Sequence, residues 1–201
     1  MIPDDILAEA HHFWCGHLPA KDYFPAEKAG IWFEQSDATD AQIFSIFGPF
    51  LDAVAAQDWP VDQLDRDEAI GLVIMLDQFP RNIFRADGRA FAYDAVARRH
   101  AHVLVEGGVE RFALIERCFL YLPFEHSEDM ADQDLSVALY EVLLADAPAA
   151  QADTYRNYLD FAIKHRDLIR RFGRFPHRNA VLGRESTPEE MAFLAEHGRG
   201  Y

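Results

Sequence analysis

Residues 158–172 read YLDFAIKHRDLIRRF, and their spacing decides the fold class. Tyr158, Phe161, Ala162, His165, Leu168, Ile169 and Phe172 recur at steps of three, one, three, three, one and three, which gathers them on one face of an α-helix. Arg166 and Arg170 share another face. The same periodicity recurs outward along the chain, and strand alternation is almost absent. Ile6, Ala10, Phe13 and Trp14 give a first helix, closed by Gly16 to Pro19. A short helical piece follows near Trp32 and Phe33. Ile43, Phe44, Phe47, Phe50, Leu51 and Val54 mark a second long helix.

Residues 69–76 are nearly continuously apolar, which predicts a helix buried on all sides and ending before Pro80. Further helices are expected over 91–105, stopped by Gly107 and Gly108, and over 111–122, 135–144 and 154–172, with Pro123 and Pro148 as breaks. Thr187, Pro188 and Glu190 form a helix start: capping hydroxyl, proline at the first position, glutamate at the third. The expectation is an all-α fold of about eight helices in antiparallel pairs, in one domain over residues 1–201.

Half of the 201 residues are hydrophobic and sixteen are Phe, a globular composition able to bury a core. Asp and Glu outnumber Lys and Arg by 34 to 19, for a formal charge of −15, which argues against general nucleic-acid or anionic-membrane binding. A local basic site survives that balance, since charges beyond about 8 Å are largely screened at physiological salt. Cys15 and Cys118 each sit in an apolar helical pattern and read as buried, reduced thiols, with one disulfide as the alternative. With no basic leader or long apolar run, the expected location is the cytoplasm.

Three polar segments carry candidate chemistry. In residues 76–82, LDQFPRN, Asp77, Gln78, Arg81 and Asn82 either surround a polar ligand or cap and pair at the end of a buried helix. Residues 125–134, EHSEDMADQD, hold five carboxylates and one imidazole. Glu128, Asp129 and Asp132 suit a helix N-terminus, while His126 with Glu128 and Asp129 suits a divalent cation or an acid/base pair. The spacing matches no metal motif, so no metal and no cofactor are expected.

Residues 164–184, KHRDLIRRFGRFPHRNAVLGR, hold seven of the 19 cations and one acid, Asp167. His165 lies in the core-facing stripe, and beyond Gly173 the segment becomes a loop offering Arg174, His177, Arg178 and Asn179. The acidic and basic segments either neutralise each other as a salt-bridge network or leave arginines aimed at a phosphate or carboxylate. Glycine-rich phosphate loops, dinucleotide fingerprints and nucleophile elbows are absent from the sequence.

Several of these residues carry a family resemblance: Phe13-Trp14, Trp32-Phe33, residues 76–85 (LDQFPRNIFR), Phe91 with Asp94, residues 121–129 (YLPFEHSED) with Gln133, His165, residues 171–179 (RFGRFPHRN), 182–184 and 186–190. The chain resembles the mainly bacterial family called domain of unknown function 924 over nearly its whole length. It departs at Phe124, where that family more often has leucine or methionine. The resemblance implies a tetratricopeptide-like, right-handed α-superhelix, although no 34-residue repeat signature is visible in the residues. It brings no reaction, cofactor or catalytic residue with it.

The reading is therefore a helical protein binding a small anion in a polar pocket lined by Asp77, Gln78, Arg81, Asn82, His126, Glu128, Asp129, His165, Arg174, His177, Arg178 and Asn179. The alternatives are a hydrolase-like enzyme with His126 and Glu128 as its acid/base pair, and a scaffold for a protein partner.

Overall fold

The computed structural model describes residues 1–198, apart from the side chain of Phe33. Among them are ten α-helices, five short 3-10 helices and no strand. The all-α expectation holds, but the count of about eight was low. The chain divides into two compact units, Met1–Arg85 with Arg89–Pro123, and Ala86–Gly88 with Phe124 onward.

The first unit contains α1 (Ile6–Cys15), α2 (Ala29–Phe33), α3 (Asp37–Ile46), α4 (Leu51–Ala56), α5 (Arg66–Ile83), α6 (Asp94–Glu106) and most of α7 (Leu114–Glu125). The expected single helix through Val54 is two helices, because Gly48 and Pro49 interrupt it with a 3-10 turn. The helix begun at residue 91 starts instead at Asp94, after a 3-10 turn over Gly88–Phe91.

Helix α5 is the axis of this unit. Asp65 and Glu68 close a capping box at its start, and every residue from Ala69 to Pro80 is buried. The helix does not end before Pro80; it runs three residues past it. A mid-helix proline costs about 3 kcal/mol, and burying one large apolar side chain offsets about 1.5–3 kcal/mol. With Leu76 and Phe79 both fully buried beside it, burial wins. Pro123 likewise lies inside α7 rather than ending it, between buried Leu120, Tyr121 and Phe124. Local proline rules gave way to packing in both places.

The core aromatics meet edge to face: Trp14 with Phe79 at 5.6 Å and with Phe119 at 5.9 Å, and Trp32 with Phe119 at 5.1 Å. Trp32 Nε1 donates to the Trp14 carbonyl at 2.9 Å. Helix α1 lies directly on α5 at Gly71. A β-carbon there would stand 1.8 Å from the Leu7 carbonyl oxygen, so only glycine permits the approach. Cys15 and Cys118 are buried free thiols.

The second unit contains α8 (Met130–Asp146), α9 (Ala152–Phe172) and α10 (Pro188–His197). The stripe read from residues 158–172 is buried at Ala162, His165, Leu168 and Ile169. Gly173 ends α9 in the left-handed conformation, φ 70°, its N–H bonded to the Ile169 carbonyl. Beyond it the expected loop tightens into a 3-10 turn over Pro176–Arg178. Leu168, Ile169, Phe175 and Phe193 form a core cluster, flanked by Met130, Phe172 and Leu194. The capping box expected at Thr187 and Glu190 is present. Among the described residues no helix is long and apolar enough to cross a membrane.

Candidate functional site

The twelve predicted site residues fall in both units. Asp77, Gln78, Arg81 and Asn82 belong to the first; the other eight belong to the second. Because α5 continues through Pro80, Arg81 and Asn82 lie in its last turn rather than beyond its end. Arg81 grips Asp94 through two bonds of 2.9 Å and donates to the Asp77 carbonyl. Asn82 donates to Asp40, which Arg85 also holds through two bonds. Gln78 donates to the fully buried Asp77 carboxylate. In this segment internal pairing accounts for the polar residues.

The second unit builds its polar centre from three pieces of chain. Directly after α7, Gln133 on α8 donates to the carbonyls of Glu125 and Ser127 at 2.6 Å each, and so fixes the turn that carries His126. Ser127 donates to Asp132 at 2.7 Å and accepts from the Asp129 N–H. Asp129 caps α8 by accepting from Ala131 N. Asp129 and Asp132 thus serve the start of α8.

Glu128 is the hinge between the acidic and basic segments. It accepts from the Phe175 N–H at 2.8 Å and from both terminal nitrogens of Arg184 at 2.7 and 3.0 Å. Burial works to raise its carboxyl, but the Arg184 and Phe175 hydrogen bonds and the Arg184 and Arg178 charges outweigh it and hold the group below its ordinary range. So engaged and so acidic, Glu128 is a poor partner for proton exchange with His126. Arg174 is taken up by Glu190 through bonds of 2.7 and 2.8 Å, and the Arg174 hydrogen bond brings that carboxyl down to about 2. Asn179 donates to Ser186 and Glu190.

What remains is an imidazole group around Arg178. The His126 and His165 rings are 6.5 Å apart, His165 meets Phe175 at 5.5 Å, and Phe175 meets His177 at 5.6 Å. Arg178 stacks over Phe175 at 4.3 Å and donates to the His126 carbonyl. Burial keeps His165 neutral, its pKa lowered to about 3, and His177 likewise, to about 4. His165 Nδ1 lies 2.9 Å from the Phe161 carbonyl and 3.1 Å from Glu125. Burial lowers the His165 pKa most, the hydrogen bond to the Phe161 carbonyl opposes that, and the His126, Arg178 and His177 charges lower it further. His177 Nδ1 and Arg184 Nε are buried atoms with no hydrogen-bond partner among the described residues.

Sequence reasoning missed Arg184 and Glu190 as members of this centre, although both lie within or beside the quoted motifs. It also missed His11, Asp67 and Glu116 in the first unit, the group of metal-ligating type among the described residues. An acid set among apolar residues near the start of α7 was the available signal.

No curated protein matches the chain. A solved structure, of the protein of unknown function ATU0120 from Agrobacterium tumefaciens, is similar at 32% identity and a TM-score of 0.77, over 94% of this chain and 97% of that one. The family described as bacterial protein of unknown function (DUF924) matches residues 10–198. With a match of that extent, over the same motifs that build both polar centres, the chain belongs to the DUF924 family.

Proposed function

We propose that the second unit binds a small phosphate- or carboxylate-bearing ligand at His126, His177 and Arg178, with Arg184 and Asn179 beside them. The observation that carries this reading is the buried Nδ1 of His177, which has no hydrogen-bond partner among the described residues while Arg178 and Arg184 act on the same ring electrostatically. Buried polar atoms are almost always satisfied, so such an atom beside two guanidinium groups favours a polar ligand. A neutral His177 suits the task because its imidazole supplies an N–H donor without the desolvation cost of a second charge. His165 supports the site from the core side, with its ring packed on Phe175.

Thermal unfolding in the presence of inorganic phosphate, sulfate and simple dicarboxylates tests the reading. An anion at 100 times its Kd stabilises the fold by about 2.7 kcal/mol. A concentration-dependent rise in Tm is expected, lost in His177→Gln and in Arg178→Lys, and retained in Arg170→Ala on the exposed face of α9. Absence of any rise with all three anions, or a rise unchanged in His177→Gln, overturns it.

A further inference from the structure

His11 sits on the apolar face of α1 and is 2% exposed, and Glu116 near the start of α7 is fully buried. A buried ionised carboxylate persists where charge and hydrogen bonds compensate it. Glu116 Oε2 accepts from the Ala113 N–H at 2.6 Å. Its Oε1 stands 2.7 Å from His11 Nε2 and 3.3 Å from Arg66 Nε. Arg66 Nε also donates to Asp67 Oδ1 at 2.9 Å, and Asp67 Oδ2 lies 3.8 Å from His11 Nδ1.

Two carboxylates and an imidazole thus converge, with one ligand atom from each within 4.8 Å of the others. Atoms sharing a first-row divalent ion, each about 2.0–2.2 Å from it, are themselves about 3–4.2 Å apart. The observed set, with no two of its atoms farther apart than 4.8 Å, approaches that range.

We infer that His11, Asp67 and Glu116 form a binding site for a divalent transition-metal ion, with Arg66 competing for the same two carboxylates. One nitrogen and carboxylate oxygens are a donor set for zinc, manganese, iron or cobalt rather than calcium or magnesium. The ion enters past Asp67 and Arg66, whose side chains are 44% and 35% exposed. Three protein ligands leave positions for water, the arrangement of a reactive rather than a closed structural site. This site lies in the first unit and shares no residue with the anion site, so each stands or falls alone.

Titration of the full-length, chelator-treated protein with Co(II), Zn(II) and Mn(II) provides the test, read by cobalt absorption, bound metal per chain and Tm. One ion per chain is expected. Asp67→Asn, at a partly exposed position, should weaken binding about tenfold or more. Arg66→Ala removes the competing cation and should tighten binding severalfold. Stoichiometric binding untouched by Asp67→Asn would mean adventitious surface histidines, and weaker binding in Arg66→Ala would mean that the arginine is no competitor. Either result, or no binding, overturns the inference and leaves His11 and Glu116 as a hydrogen-bonded pair of the core.

Discussion

Arg184 holds Glu128 with both terminal nitrogens, at 2.7 and 3.0 Å, across 56 positions of sequence. Both side chains are about a quarter exposed, between the limits where ion pairs contribute almost nothing and where losing one partner costs about 3–5 kcal/mol. Arg184→Ala is expected to cost about 1–3 kcal/mol in urea unfolding. A double-mutant cycle with Glu128→Gln should give a coupling near 1 kcal/mol or above. Coupling indistinguishable from zero would make the pair ornamental.

Acid should destabilise the protein in two stages. His165 and His177 have folded pKa values lowered from 6.5 to about 3 and about 4, so below pH 6.5 the unfolded chain takes up protons that the folded one refuses. Their contribution is complete above that pH and is lost as pH falls, at up to about 1.4 kcal/mol per pH unit for each. Glu190, lowered from 4.5 to about 2, adds a second loss only below pH 4.5. Urea midpoints at pH 7, 6, 5 and 4 check the first stage, which His165→Gln should make shallower.

Gly71→Ala should be among the most damaging single-methyl changes, because the added carbon meets backbone that cannot rotate away. About 3 kcal/mol, the upper end of ordinary overpacking, is the expected cost. Gly30→Ala, whose β-carbon would have its nearest neighbour at 3.9 Å, serves as the control and should change little.

Arg81→Lys is expected to destabilise by about 1–2 kcal/mol despite keeping the charge, since an ammonium cannot reproduce the forked pairing with Asp94. If thermal unfolding finds the lysine variant equal to the parent, the planar geometry is irrelevant there.

Local signals were the legible ones. The helix over α9, with its buried stripe positions Ala162, His165, Leu168 and Ile169, and the Thr187–Glu190 box each depend on residues within a turn of one another, and both were read from the sequence. Pro80 and Pro123 misled because a proline's effect on its own helix is local, whereas the burial that overrides it comes from helices elsewhere in the chain. The partners of arginines were legible only in part. The meeting of residues 125–134 with 164–184 occurs through Glu128 and Arg184, but Arg174 chose Glu190 and Arg81 chose Asp94, choices set by three-dimensional reach. His11 and Glu116 escaped because each occupies an apolar slot in its helix, where periodicity alone records a core position.

The closeness of α1 to α5 at Gly71 governs more than packing. A β-carbon at that glycine would also lie 3.2 Å from the His11 amide nitrogen, and Asp67 stands one helical turn before it. The hydrogen-only position therefore works as a depth gauge: it sets how far the imidazole of one helix is pushed toward the carboxylate of the other. Any residue with a side chain there would lift His11 away and retune the cluster without replacing one of its members.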